Sequence, residues 1–191
     1  DLFNELFSEY SFENSKRLIE IIRSAKADME DSIVPSGNHY VQSRLQSYHS
    51  RLGKFDELTD GITYYRFLEG LLEQVEKDPQ AVAHQFQKVA ERIFTKQNIL
   101  FNVTCEEKDY PKIEKRLNSL YDLLSDGKSE VEKWDFKAVS ENEGFLTASN
   151  VQHVGKGANL YEMGFKYSGQ FEVLKGLLRT GYLWDKVRVH G

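Results

Sequence analysis

Asn159-Leu160-Tyr161-Glu162-Met163-Gly164-Phe165-Lys166-Tyr167 is the stretch on which a reading of the fold turns. Tyr161, Met163, Phe165 and Tyr167 fall at every second position, with Leu160, Glu162, Gly164 and Lys166 between them. A period of two puts successive side chains on opposite faces of a strand, so the stretch predicts a strand. Residues 144–154 and 184–190 extend that expectation. The second of these has Val187 and Val189 on one face and Lys186, Arg188 and His190 on the other. Between the strands, Ser168-Gly169 opens a helical pattern with Phe171, Leu174 and Leu178 aligned. The expectation for this end of the chain is an antiparallel sheet with a packed helix.

Upstream of a polar connector at 129–143 the texture changes. Leu18, Ile22, Ala25, Met29 and Ile33 recur at steps of three and four, one apolar face of a helix over about residues 14–33. Pro35-Ser36-Gly37-Asn38 ends it with turn chemistry. Residues 40–52 carry a weaker helical signal. Tyr65, Leu68, Leu72 and Val75 mark a further face, widened by Tyr64, Phe67 and Leu71. Asp78-Pro79 pairs an N-cap acceptor with a proline at the first helical position, where its missing N–H does no harm. Val82, Phe86, Val89 and Ile93 follow on one stripe. Residues 99–104 break the period and predict a short strand. Asp109 can cap a last helix with Ile113, Leu117, Leu120 and Leu124 inward, stopped by Ser125-Asp126-Gly127-Lys128. The fold class expected is α+β, a helix-rich N-terminal part followed by the sheet.

The whole chain, 191 residues with a formal net charge of -5, has the size of one ordinary domain or two small ones. Hydrophobic residues at 40% and charged ones at 29% fit a globular profile. The acidic balance argues against a nucleic-acid-binding role, which needs clustered Lys and Arg. Residues 131–191 hold 8 basic and 7 acidic groups, against 17 and 23 in the remainder, so the charge also shifts where the texture does. Cys105 is the single cysteine, which excludes a disulfide framework within the chain. No run of about 18 apolar residues is present, and Asn4, Glu5 and Glu9 interrupt the first apolar stretch. One cysteine and no export signal suggest a reducing compartment. The chain opens on Asp1 and closes on Val187-Arg188-Val189-His190-Gly191, so an excised piece or a processed chain is expected.

A search for chemistry finds little that is self-contained. Of His39, His49, His84, His153 and His190, no two stand four apart as a helical zinc pair requires, and Cys105 has no second thiol. Packed or surface histidines explain them better than ligands. Gly155-Lys156-Gly157 lacks the spacing of a phosphate loop and precedes an expected strand, so a tight turn is the better reading. Asn102-Val103-Thr104 matches a glycosylation sequon but lies inside an expected strand. No nucleophile elbow is present. Arg188 stands out, because a guanidinium in the middle of a Val-Arg-Val strand suits an open face, where its donors could meet a carbonyl or a developing oxyanion. A solvated sheet face with a surface arginine is the plain alternative.

Several blocks resemble a known pattern. Gln152-His153-Val154-Gly155-Lys156-Gly157-Ala158-Asn159-Leu160-Tyr161 and Leu183-Trp184-Asp185-Lys186-Val187-Arg188-Val189, together with Gly144-Phe145-Leu146, are similar to the C-terminal half of the presequence-protease branch of the insulinase/pitrilysin zinc metallopeptidases. Ser36-Gly37-Asn38-His39, Gly61-Ile62-Thr63-Tyr64-Tyr65-Arg66-Phe67-Leu68 and Ile99-Leu100-Phe101-Asn102-Val103-Thr104 agree with it upstream. The resemblance implies partial insulinase-like (LuxS/MPP-like metallohydrolase) domains, with residues 1–128 as the helix-rich end of the third domain and 129–191 as the start of the fourth. It implies a zinc held by an H-x-x-E-H helix that this chain lacks, so Zn2+ would be bound by an N-terminal half lying upstream and none within residues 1–191. It implies Arg188 as the arginine that reaches the substrate carbonyl at the metal, with a tyrosine partner beyond Gly191. Asn159 and Tyr161, inside the similar block, become substrate-binding candidates.

On that resemblance the expected function is the substrate-binding half of a split active site in an oligopeptide-degrading zinc metalloendopeptidase. The chain alone would be inactive. Expected partners are unstructured peptides and the N-terminal half of the same polypeptide, with neither nucleic acid nor membrane. The expected compartment is bacterial cytoplasm, or an organelle matrix if a targeting segment has been removed. The competing reading is a non-catalytic helical interaction or substrate-binding module, for which ten tyrosines and twelve phenylalanines supply anchors.

Overall fold

The computed structural model describes residues 5, 7, 10–127, 133–137 and 142–189, the Arg188 side chain excepted. The chain divides into two compact units, Asp1–Gly155 and Lys156–Gly191.

The first unit is helical. Its elements are α1 (Ser15–Ile33), α2 (Gly37–His49), α3 (Arg51–Asp60), α4 (Ile62–Lys77), α5 (Pro79–Ile93) and α6 (Tyr110–Leu123). Three N-caps set helix starts. Asn14 accepts from the Arg17 N–H, Ser50 from that of Gly53, and Asp78 from that of Ala81 at 3.0 Å, with Pro79 behind it as the sequence predicts. α1 lies along α4. Leu18 and Ile22 share a cluster with Leu71, Val75, Val82 and Ala83, whereas Met29 shares one with Tyr40, Ile62 and Leu68. The start of α1 thus meets the end of α4, and the two helices run antiparallel. Val75 is fully buried at 0% and Val82 nearly so at 2%. Each such side chain contributes about 1.5–3 kcal/mol of transfer free energy. The expected faces hold in α1 and α4, except that Phe67 is 57% exposed. In α5 the core face rotates toward Val82, Ala83 and Ala90, leaving Val89 and Ile93 exposed. α6 buries nothing of its own, although Leu124 just beyond it is buried. Its end is tied to the end of α5 by a parallel bridge between Thr95 and Ser125 and by the Lys96–Asp126 ion pair at 2.8 Å.

The second unit holds α7 (Gly169–Leu177), which continues into wider helical turns over Leu178–Tyr182 and Trp184–Val189. Phe165 packs against Phe171 with ring centroids 4.9 Å apart. No residue of α7 is buried.

The antiparallel sheet does not form, and the α+β expectation is corrected to an α-helical chain: among the described residues there is no strand. Residues 99–104 and 144–154 run irregularly, with Leu100 90% and Val154 86% exposed. Residues 184–189 are helical. The physical reason is common to all of them. A strand satisfies its N–H and C=O groups only through a neighbouring strand, and no described segment supplies one. Residues 159–167 fail for a further, local reason. Asn159 Oδ1 accepts from the Tyr161 N–H at 3.1 Å, closing an Asx turn. The Gly164 N–H donates to the Tyr161 carbonyl, and Gly164 adopts a left-handed φ of 85°. Turn chemistry therefore wins over alternation.

Candidate functional site

The residues singled out by sequence all lie in the second unit. Asn159 and Tyr161 come together in one turn. The Asn159 amide also donates to Glu162 Oε1 at 3.1 Å, which makes Asn159 the residue that organises the turn. Tyr161 is 66% exposed, with its ring edge-on to Phe165. Arg188 sits in the helical Trp184–Val189 segment, and its side chain lies outside the described residues. In a helical backbone Val187, Arg188 and Val189 no longer alternate between two faces. The open-strand rationale for Arg188 therefore falls, and only its place in the sequence block supports it.

The first unit assembles a polar cluster that sequence reading missed. Glu57, on α3, is wholly buried at 0%. Its Oε1 accepts from Arg44 Nη1 at 3.1 Å, from the Thr63 N–H at 3.0 Å and from the Thr63 hydroxyl at 2.9 Å. Arg44, on α2, turns its other edge to Glu143. Nε donates to Oε2 at 2.6 Å and Nη2 to Oε1 at 2.8 Å, a two-pronged pairing that fits guanidinium to carboxylate. The Tyr48 hydroxyl also donates to Glu143 Oε2. The Phe145 ring lies 6.0 Å from the Arg44 guanidinium carbon and 5.6 Å from that of Arg66. A flat cation over a ring face is an attractive contact.

These contacts shape the ionisation. The hydrogen bonds from Arg44 hold the Glu143 carboxyl down at about 2. The same pairing pushes Arg44 up. Burial pushes the Tyr48 hydroxyl up. Glu57 Oε2 is buried without a hydrogen-bond partner. It lies against Gly61, at the corner between α3 and α4. A Cβ on Gly61 would collide with this carboxylate and would stand 2.8 Å from Glu57 Cα.

Chemically the cluster holds charge and fixes geometry. Two carboxylates flank one guanidinium, and no nucleophile stands beside a general base. A shallow depression of about 390 Å³ near Cys105 is lined by Glu106, Asp109, Lys112, Ile113 and Arg116, again with no base paired to the thiol. Among the described residues no three of His, Cys, Asp or Glu gather to hold a metal. His39 and His49 each pack edge-on to a neighbouring tyrosine, and His153 lies at Gly37. His190 lies outside the described residues.

Only Arg44 and Tyr48, one helical turn apart, hinted at this cluster in the sequence. Glu57 has no patterned partner in its own stretch of sequence, and Glu143 is 99 positions from Arg44. No local pattern connects them.

Comparison with known proteins adds three findings. Residues 1–71 match the family model for the region associated with peptidases of family M16, subfamily C. Over its full length the chain is 32% identical to Protein HypA of Clostridium perfringens and 26% identical to Presequence protease 1, chloroplastic/mitochondrial, of Arabidopsis thaliana, covering 19% and 18% of those proteins. Over 105 residues, 54% of the chain, it is 29% identical to the mitochondrial presequence protease of Yarrowia lipolytica, covering 10% of that protein. The chain therefore spans about a fifth of the length of these full-length matches. Among the described residues no helix is long and apolar enough to cross a membrane.

Proposed function

This chain is a relative of presequence-protease-like M16 peptidases, and from that premise we propose that it serves as part of the peptide-binding half of such an enzyme. The observation that carries the reading is similarity along all 191 residues to two relatives, one of them named a presequence protease. On this proposal residues 1–128 close the third insulinase-type domain and 129–191 open the fourth. The substrate class is unstructured peptides. On the same proposal the hydrolytic metal chemistry belongs to residues outside this chain, because residues 1–191 hold no H-x-x-E-H motif. When bound there, zinc supplies Lewis acidity and an activated water.

The chain's own residues would position the substrate. Arg188 would offer a permanently charged, planar set of donors to a peptide carbonyl. Asn159 and Tyr161, held in one turn, would present an exposed aromatic ring to the peptide. The compartment proposed is bacterial cytoplasm, with an organelle matrix as the alternative.

The test uses a longer protein carrying this sequence. Arg188→Ala should lower peptide turnover strongly while zinc content stays unchanged, with Arg188→Lys only a partial rescue. Unaltered turnover in Arg188→Ala would remove Arg188 from the site. Chelator-sensitive peptide hydrolysis by purified residues 1–191 would sink the division of labour.

One observation favours a second reading, a non-catalytic helical binding module. Leu52, Phe55 and Leu58 on α3 are 70%, 57% and 40% exposed at steps of three. Such a stripe suits an apolar partner. A protein carrying this sequence that binds peptides but never cleaves them would support it.

A further inference from the structure

We propose that residues 142–155 form a strap fastened along α2 by a single latch, the Glu143 carboxylate, and that Arg44 is its preformed catch. The inference is independent of the function proposed above.

The catch stands ready without the strap. Arg44 Nη1 is already engaged by Glu57 and by the Thr63 hydroxyl, from α3 and α4, and its side chain is only 18% exposed. Those bonds fix the plane of the guanidinium, Nε also donates to the Tyr48 hydroxyl at 3.2 Å, and Nε and Nη2 face outward as a pair. Glu143 fills that pair with both oxygens and takes a further bond from Tyr48. Phe145, two residues on, covers Arg44 and Arg66 from above.

Little else holds the strap. Leu146, Val151 and Val154 are 103%, 63% and 86% exposed, so its aliphatic side chains bury almost nothing. Among the described residues its side-chain hydrogen bonds beyond Glu143 are local, Ser149 to Thr147 and Val151 to Ser149. His153 rests at Gly37 and Gly155 against Val41 and Leu45 by contact alone. A charged two-pronged bond is worth roughly twice a neutral one, so the latch dominates the attachment. The strap is also the length of chain that leads into the second unit. Releasing Glu143 would leave Arg44, Arg66 and Tyr48 as an open receptor for a carboxylate.

The experiment is limited proteolysis with thermolysin on the 191-residue chain, read by mass spectrometry, with amide hydrogen exchange on the same samples. Glu143→Gln keeps the size and removes the charge. Cleavage within 142–155 should rise at least about tenfold, the ratio that corresponds to a loss of about 1.4 kcal/mol. Exchange in α1, α4 and α5 should not change. Glu143→Asp, shorter but charged, should fall between the two. Equal strap cleavage in wild type and Glu143→Gln overturns the latch. Accelerated exchange throughout α1–α5, or failure of the variant to fold, overturns it as well, because Glu143 would then support the whole helical unit.

Discussion

The two units of this chain carry similar apolar periodicity and make opposite use of it. In α1 and α4, residues three and four apart meet a facing helix and disappear from solvent, with Leu18, Ile22, Leu68, Leu71 and Val75 at 9% exposure or less. In α7 and the helical turn that continues it, Phe171, Leu174 and Leu178 keep the same spacing, yet Leu174 remains 48% and Leu178 38% exposed. Spacing thus decides that a helix forms and which side is apolar. Burial, and with it most helical stability, depends on a second surface.

The largest expected effect lies in the first unit. Arg44→Met should cost about 3–5 kcal/mol, because it strands the buried Glu57 carboxylate. The joint change Arg44→Met with Glu57→Leu should recover much of that loss in urea unfolding. If the double variant is as unstable as the single, the stranded charge is not the cause. Leu68→Ala, at a position 3% exposed, should cost about 2–5 kcal/mol, while Leu174→Ala in α7 should change stability by no more than about 0.5 kcal/mol. Equal losses at the two sites would erase the contrast between the units. Asp78→Ala should remove a cap worth about 1 kcal/mol.

A smaller effect follows from acid. The folded-state pKa of Glu143 lies below the usual carboxylate value of about 4.3, held at about 2 by Arg44. Its stabilising contribution is therefore complete above that usual value and drains away as pH falls toward 2. Glu143→Gln should flatten that part of the acid titration. An unchanged profile in the variant would mean that other carboxylates carry the acid sensitivity.

What sequence could reveal follows the same divide. The apolar faces of α1 and α4, the Asp78-Pro79 start and the end of α6 near Ser125 were readable, because each depends on neighbours within a turn or two. Residues 184–189 misled because alternation describes a strand only where another strand is available to pair. Residues 159–167 misled because a single asparagine and a single glycine can bend an alternating run into a turn. The Arg44 cluster was invisible for a different reason. Its members come from α2, α3, α4 and the strap, and nothing in the local pattern around Glu57 distinguishes it from a surface glutamate. Full-length similarity agrees with what the blocks at 152–161 and 183–189 had suggested, that the relatives of this chain are presequence-protease-like peptidases.

The corner at Gly61 has a consequence for mutability. With the Glu57 backbone 2.8 Å from where a methyl group would stand, and its carboxylate closer still, even alanine must pry α3 from α4. A saturation screen for folding alone should therefore find this position nearly as intolerant as Val75, although Asp60 just before it is exposed. Glycine here acts as a mechanical pivot, and its absence of bulk is what lets α3 and α4 meet.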